Sequence, residues 1–162
     1  MNIIHANKMH KGFTLMEVLV TLAIVAILAT MATPIALNAA KKQKEAELKQ
    51  ALAEIRKAID TYKADSEAER IPRLKSESFY PRSLGELVNG VNDLRNPGQK
   101  IFYLRQLPRD PFFKNKNAAP DKTWGLRNSQ STNENPQPGA DVFDVYSTSP
   151  DTGTNGIPYR KW

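Results

Sequence analysis

The chain has no cysteine, and its two histidines, His5 and His10, both lie among the first twelve residues. Without cysteine, neither a disulfide framework nor a thiolate metal site can hold the fold together. The sequence after residue 12 shows no nucleophile with a base at recognisable spacing. An enzyme is therefore the class of protein that this sequence supports least, and we expect no catalytic residues.

A strongly basic patch is also missing. The formal net charge is +6, but basic and acidic residues are interleaved over residues 41–73 and later basic residues are scattered. Because nucleic-acid binding needs basic residues clustered on one face, we expect no nucleic-acid partner. Lys8 and Lys11 precede a long apolar run, where basic residues orient a first membrane segment by staying cytoplasmic.

The apolar run is the dominant feature of the N-terminal part. Residues 18–40 contain no charged side chain, and a helix of this length would extend about 34 Å, against about 30 Å for the hydrocarbon core of a bilayer. The run is longer than the apolar core of a usual secretory signal peptide. It predicts a transmembrane helix, while a signal peptide cut at Ala29-Thr30-Met31 or Thr30-Met31-Ala32 stays an alternative.

Glu17 lies near the start of the apolar segment. An unpaired carboxylate in lipid costs about 2.5 kcal/mol or more, which predicts a positively charged partner for it. The alternative is a carboxylate that reaches water at the membrane edge.

The junction before the run reads Lys11-Gly12-Phe13-Thr14-Leu15-Met16-Glu17. It resembles the leader junction of type IV pilins and type II secretion pseudopilins. The resemblance implies that a prepilin peptidase cleaves after Gly12 and N-methylates Phe13, whose new amine carries a positive charge. It also implies that Glu17 neutralises the Phe13 ammonium of a neighbouring subunit. Pro34 falls where these proteins commonly have a helix proline, which can kink or locally melt the helix; an ordinary membrane-helix proline is the alternative.

Beyond the apolar run, residues 41–64 contain no Gly or Pro, which predicts one continuous helix that ends near residues 69–72. An apolar stripe steps along it by 4, 3, 4 and 3 residues: Leu48, Leu52, Ile55, Ile59 and Tyr62. We expect this stripe to pack against the chain's own domain, with a coiled coil as the alternative. Glu45 and Lys49 are predicted to form an ion pair on a solvated face.

The distal sequence predicts short elements joined by loops. Ser83 and Glu86 are spaced as a capping box at the start of a short helix. In the rigid connection over residues 107–112, Asp110 is expected to form a turn. The predicted strands are residues 123–127 and 141–147, separated by a loop over 128–140, with a strand or helical turn at 101–105. The fold class is therefore α+β, a long N-terminal helix packed on a small antiparallel sheet.

The order of these features resembles the major, G-type pseudopilin of type II secretion over most of the chain, chiefly through residues 107–112 and the ending from Asp144. The resemblance implies a pilin-like fold in four segments: a leader over 1–12, a transmembrane and assembly helix over 13–40, an amphipathic helix over 41–70 and a periplasmic domain over 71–162. The absence of the C-terminal cysteine pair of many type IV pilins also favours a pseudopilin.

The final loop of the G-type family binds calcium, and residues 144–151 align with its start. The resemblance implies a calcium site at Asp151 with Ser147, Ser149 and Asn155, whose oxygens suit that ion. The family's second acidic ligand has no clear equivalent here. The alternative is an ordinary Gly/Asn turn closed by packing of Tyr159 and Trp162.

The function that the resemblance implies is structural. The chain would be a single-pass protein of the bacterial inner membrane with its C-terminal domain in the periplasm, and it would polymerise into a pseudopilus for protein export across the outer membrane. Expected partners are further copies in a helical filament, minor pseudopilins, the inner-membrane secretion platform and the prepilin peptidase. The alternatives are a type IV pilin for adhesion, motility or DNA uptake, and a lone signal-anchored periplasmic binding domain.

Overall fold

The computed structural model describes the backbone of residues 12–162 and the side chains of residues 12–30 and 37–162. The helices are α1, Leu15–Glu67, and α2, Leu84–Asn89, and the strands are β1, Val91–Asn92, β2, Lys100–Ile101, β3, Trp124–Arg127, and β4, Asp144–Ser147. Single 3-10 turns lie at Pro120–Lys122 and Tyr159–Lys161. The predicted α+β class, with a long N-terminal helix and small antiparallel sheets, is confirmed. Contacts divide the chain into two compact units, Met1–Lys41, described from residue 12, and Lys42–Trp162.

Helix α1 ends at Glu67, two residues before the predicted range of 69–72. The chain leaves the helix through Glu69, which has the left-handed backbone angle φ 52°. The Glu69 N–H donates to the Ser66 carbonyl at 3.2 Å and the Arg70 N–H to the Asp65 carbonyl at 2.9 Å. These two bonds form a Schellman motif, which satisfies carbonyls of the last helical turn. The helix therefore ends before it reaches the proline at position 72.

The apolar stripe of α1 forms the core of the second unit. All five residues, Leu48, Leu52, Ile55, Ile59 and Tyr62, are buried. They belong to one cluster with residues of the distal elements: Ile71, Leu84, Leu87, Leu104, Trp124, Val142, Val145 and Tyr159. The prediction that the stripe packs against its own domain is confirmed.

Two antiparallel strand pairs lie in this unit. Strand β1 pairs with β2, and β3 pairs with β4 in the register Trp124↔Ser147 to Arg127↔Asp144. The predicted strands of residues 123–127 and 141–147 are confirmed, except that β3 starts at Trp124 and β4 starts at Asp144. The Asp141 carboxylate instead accepts the Ser129 N–H and hydroxyl, at 2.9 and 2.7 Å, and so closes the loop between the strands.

The predicted capping box at α2 is wrong in detail. Ser83 is the N-cap residue but makes no side-chain capping bond. The Glu86 carboxylate accepts the Arg82 N–H and the Tyr62 hydroxyl, each at 3.0 Å. Because Tyr62 reaches Glu86 from the buried stripe of α1, the carboxylate joins α2 to α1 rather than closing on Ser83.

Asp110 forms the predicted turn and also has a buried partner. Its carboxylate accepts the Phe112 N–H at 2.8 Å, which is the Asx-turn geometry. The other oxygen accepts the buried Ser147 hydroxyl at 2.6 Å. The Trp124 indole donates to the Pro108 carbonyl at 2.9 Å. The connection of residues 107–112 is thus attached to both strands of the β3–β4 pair.

The prediction of a solvated Glu45 is wrong. Glu45 is only 6% exposed, and its carboxylate accepts the Thr154 N–H, the Thr154 hydroxyl and the Tyr159 hydroxyl. The ammonium of Lys49 lies 4.7 Å from the centroid of the Trp162 ring. The end of the chain folds back over this face of α1, which local spacing along the helix could not indicate.

Candidate processing and assembly site

The predicted cleavage junction lies at the start of α1. Gly12 and Phe13 precede the helix, and the Phe13 side chain is 82% exposed. Among the described residues, no atom lies within 4 Å of a Cβ added at Gly12. Contacts with the described residues therefore do not require glycine at this position. A requirement for glycine would come from a molecule that acts on the junction.

Glu17 lies in the first turn of α1. The Thr14 hydroxyl accepts the Glu17 N–H at 3.2 Å, so Thr14 caps the helix. An acidic side chain in this turn is stabilised by the helix dipole by about 0.3–1 kcal/mol. The Thr14-Leu15-Met16-Glu17 spacing is the capping-box pattern, a signal that sequence reasoning about Glu17 missed. Within the described residues no cation pairs with the exposed Glu17 carboxylate, so an intermolecular partner can reach it.

The helix after Glu17 exposes apolar side chains on every side. Val18, Leu19 and Val20 point in directions about 100° apart, and they are 43, 56 and 46% exposed. Further exposed apolar residues follow along the same segment: Leu22, Ile24, Val25, Ile27 and Leu28. A helix that is apolar all round belongs in an apolar environment or among other helices.

The threonines of this segment satisfy their hydroxyl groups locally. The Thr21 hydroxyl donates to the Val18 carbonyl at 2.9 Å, and the Thr30 hydroxyl donates to the Ile27 carbonyl at 2.7 Å. These bonds lower the cost of transferring the two side chains from water to apolar surroundings.

Among the described residues, the structure contains no helix that combines the length and the hydropathy of a membrane span. The predicted transmembrane segment of residues 13–40 is therefore not confirmed. Pro34 lies outside the residues whose side chains are described, so its predicted effect on the helix stays a prediction.

Residues 7–33 match the family model of the prokaryotic N-terminal methylation motif. The chain begins with a type IV pilin-like methylation motif. The match contains Gly12, Phe13 and Glu17, whose individual roles stay predictions. No curated protein and no solved structure matches the chain. The likeness to the pilin and pseudopilin leader is thus confirmed, while the narrower likeness to G-type pseudopilins is not.

The second predicted site lies far from the methylation motif in sequence, at the calcium ligands. The buried Ser147 hydroxyl donates to Asp110 and accepts the Ser149 N–H at 3.2 Å. The Ser149 hydroxyl donates to the Asp151 carboxylate at 3.2 Å. The Asn155 side-chain oxygen accepts the N–H two residues further on. The structure thus links Ser147, Ser149 and Asp151 in one row, while Asn155 bonds within its own turn.

This donor set fits calcium poorly. The ion takes six to eight oxygen ligands and binds more tightly with more carboxylates, but among the four predicted ligands only Asp151 has one. No group of three or more Asp, Glu, His or Cys side chains that could hold a metal ion occurs among the described residues. Calcium binding therefore stays a prediction.

The geometry of the final loop matches the alternative of a closed turn. The Gly153 N–H donates to the Ile157 carbonyl at 2.9 Å, and Gly156 has the left-handed angle φ 78°. Tyr159 is fully buried, stacks on Phe112 with ring centroids 4.1 Å apart, and meets the Trp162 ring edge-on at 5.0 Å. Aromatic packing and backbone bonds close this loop.

Proposed function

We propose that this chain is a structural subunit of a periplasmic type II secretion pseudopilus, which polymerises through its N-terminal helix and supports protein export across the outer membrane. The observation that carries the proposal is a methylation motif leading into a helix that exposes apolar side chains on all sides. Such a helix is stable in lipid before assembly and among neighbouring helices after it.

The proposal places residues 13–40 in the inner membrane as a single span, with residues 41–162 in the periplasm. Lys8 and Lys11 would keep the leader of residues 1–12 in the cytoplasm, where the prepilin peptidase cleaves it. Further copies, minor pseudopilins and the inner-membrane secretion platform are the proposed partners.

Glu17 supplies the contact that makes assembly specific. Residues 13–40 contain one charged side chain, Glu17, and cleavage before Phe13 would create one positive amine. Pairing of the two groups between subunits removes the cost of burying each charge, and loss of one partner from a buried pair costs about 3–5 kcal/mol. The charges therefore fix the stagger of neighbouring helices.

The test separates this intermolecular role of Glu17 from its local role in the first helical turn. Glu17→Ala removes the carboxylate, whereas Thr14→Ala removes the capping hydroxyl and leaves the charge in place. Both are expressed with the prepilin peptidase and the secretion platform, and processing, membrane insertion and filament formation are measured by fractionation and cross-linking.

We expect Glu17→Ala to be processed and to reach the membrane but to be absent from filaments. Thr14→Ala should still assemble, because the cap contributes only about 0.5–2 kcal/mol to one helix end. Filaments of Glu17→Ala at the wild-type level would contradict the proposal and favour a lone signal-anchored periplasmic domain. Long extracellular fibres under the microscope would favour a type IV pilin instead.

A further inference from the structure

Three charged residues of α1 hold the end of the chain, which we call the C-terminal segment, residues 151–162. Glu45, Lys49 and Arg56 are spaced by 4 and 7 residues and so lie on one face of the helix. Each of them contacts the C-terminal segment directly. A charged helix face usually faces solvent, whereas this one binds another part of the same unit.

Glu45 binds the turn of the C-terminal segment with both carboxylate oxygens. One oxygen accepts the Thr154 N–H at 2.8 Å and the Tyr159 hydroxyl at 2.9 Å, and the other accepts the Thr154 hydroxyl at 2.6 Å. A buried carboxylate is tolerated only when such bonds replace its hydration, and bonds to an ionised acceptor are stronger than neutral ones.

Lys49 and Arg56 bind the other end of the C-terminal segment. The Lys49 ammonium lies over the Trp162 ring, whose indole N–H donates to the Ile157 carbonyl at 3.1 Å. The Arg56 guanidinium donates to the Trp162 carbonyl at 2.7 Å and to the Asp144 carboxylate at 2.8 Å. The C-terminal segment is thus fixed to α1 at its turn and at its end.

The polarity of these contacts is opposite to that of a metal site. A calcium loop turns carboxylates and carbonyl oxygens toward a cation, whereas this turn directs two hydroxyl groups and an N–H toward an anion, Glu45. We propose that Glu45 takes the place of a metal ion in closing the C-terminal segment, so that the segment is ordered without calcium. This consequence rests on the proposed function: filament assembly is then also independent of calcium.

The test is hydrogen–deuterium exchange on the full-length chain in detergent, read by mass spectrometry on peptides covering residues 151–157. The Thr154 and Gly153 amides of this stretch donate to Glu45 and Ile157 and report closure of the turn. Wild-type protein is compared in EDTA and in about 1 mM calcium chloride, which equals the dissociation constant of the weakest extracellular calcium modules. We expect the same exchange rates in both.

Glu45→Ala should raise exchange in this stretch by about tenfold or more in either buffer, the factor expected when a charge-assisted bond is lost. Glu47→Ala is the matched control, because Glu47 is exposed and its carboxylate accepts from Gln43 of the same helix. That variant should exchange like wild type. Thr154→Val, which keeps the side-chain volume but removes one donor, tests the same contact if Glu45→Ala fails to fold, and it should show a smaller rise.

Slower exchange of the wild-type segment in calcium than in EDTA would overturn the proposal, as would Thr154→Val or a folded Glu45→Ala that exchanges like wild type. These readouts do not depend on polymerisation. A chain that forms no filaments would therefore contradict the proposed function and leave the role of Glu45 standing.

Discussion

Arg70 and Asp93 hold the end of α1 where the chain reverses direction. The Arg70 guanidinium donates to Asp93 at 3.1 Å and to Asp65, in the last turn of α1, at 3.5 Å. Asp93 is buried and also accepts the Asn96 amide and the Arg95 N–H, both at 2.9 Å. Single side chains therefore attach the helix end to the loop that follows β1.

Glu69→Gly should stabilise the protein. A left-handed backbone angle costs a residue with a Cβ about 1–2 kcal/mol, of which the greater flexibility of unfolded glycine cancels about 0.5–1 kcal/mol. The expected gain in the free energy of unfolding is about 0.5–1 kcal/mol. Urea denaturation followed by tryptophan fluorescence measures it, since Trp124 and Trp162 both lie in the second unit. Glu69→Ala, which keeps the Cβ, should show no gain; equal gains from both variants would contradict the explanation.

Asp93→Asn should change how stability depends on pH. The hydrogen bond from Arg70, with those from Asn96 and Arg95, holds the pKa of the Asp93 carboxyl well below its ordinary value. Because folding lowers this pKa, the ionised carboxylate stabilises the fold at pH values above the ordinary pKa of about 4. This contribution is lost as the pH falls from about 4 toward the lowered pKa. The variant should be less stable than wild type at pH 7, with a difference that shrinks at pH 3. A constant difference, or one matched by the exposed Asp60→Asn control, would argue against this role.

The contacts of Glu45 and Asp110 show which side-chain contacts can be predicted from the sequence and which cannot. Glu45 has Lys49 one helical turn away, so the sequence indicated a local ion pair. Its observed partners, Thr154 and Tyr159, lie more than a hundred residues further on. Nothing in local spacing indicates which distant segment will fold over a charged face. The turn at Asp110 was predictable because that contact is with a residue two positions on.

The helix α1 and the strands β3 and β4 formed where the sequence has a helical period or residue types that favour strands. The stripe of α1 repeats with the period of a helix, and the residues of β3 and β4 include Trp124, Val145 and Tyr146, types that favour strands. The Asp141 carboxylate, just before β4, accepts from Ser129 in the loop after β3, and the Glu86 carboxylate accepts from Tyr62 of α1. Element types were therefore predictable, whereas some of their ends and caps were not.

Ile55→Ala should destabilise the second unit more than an alanine substitution on the exposed face of α1. Ile55 is fully buried in the central part of the stripe, and removal of its side chain leaves a cavity that costs about 2–5 kcal/mol. The neighbouring Glu54→Ala is the control, because Glu54 is exposed and the expected change is within about 0.5 kcal/mol. Denaturation of both variants checks this, and equal effects would show that the stripe is not the core.

The two units differ in the surface that they present. The second unit buries its apolar residues in a core of its own, whereas the described part of the first exposes apolar side chains around a helix. A helix with this surface is suited to lipid or to contacts with other helices, and the methylation motif lies at its start. Processing of the motif would therefore give a helix that assembles.

Intact-mass measurement with N-terminal fragmentation, on protein purified from its own membranes, shows whether the motif is processed. Gly12→Val is a suitable control, because a Cβ at position 12 meets no atom of the described residues within 4 Å. A branched side chain next to the cleaved bond is expected to obstruct a peptidase. We predict that the wild-type chain begins at an N-methylated Phe13 and that the variant retains its leader. A wild-type chain that still begins at Met1, in cells with an active prepilin peptidase, would show that the motif is not processed and would overturn the assembly role of the helix.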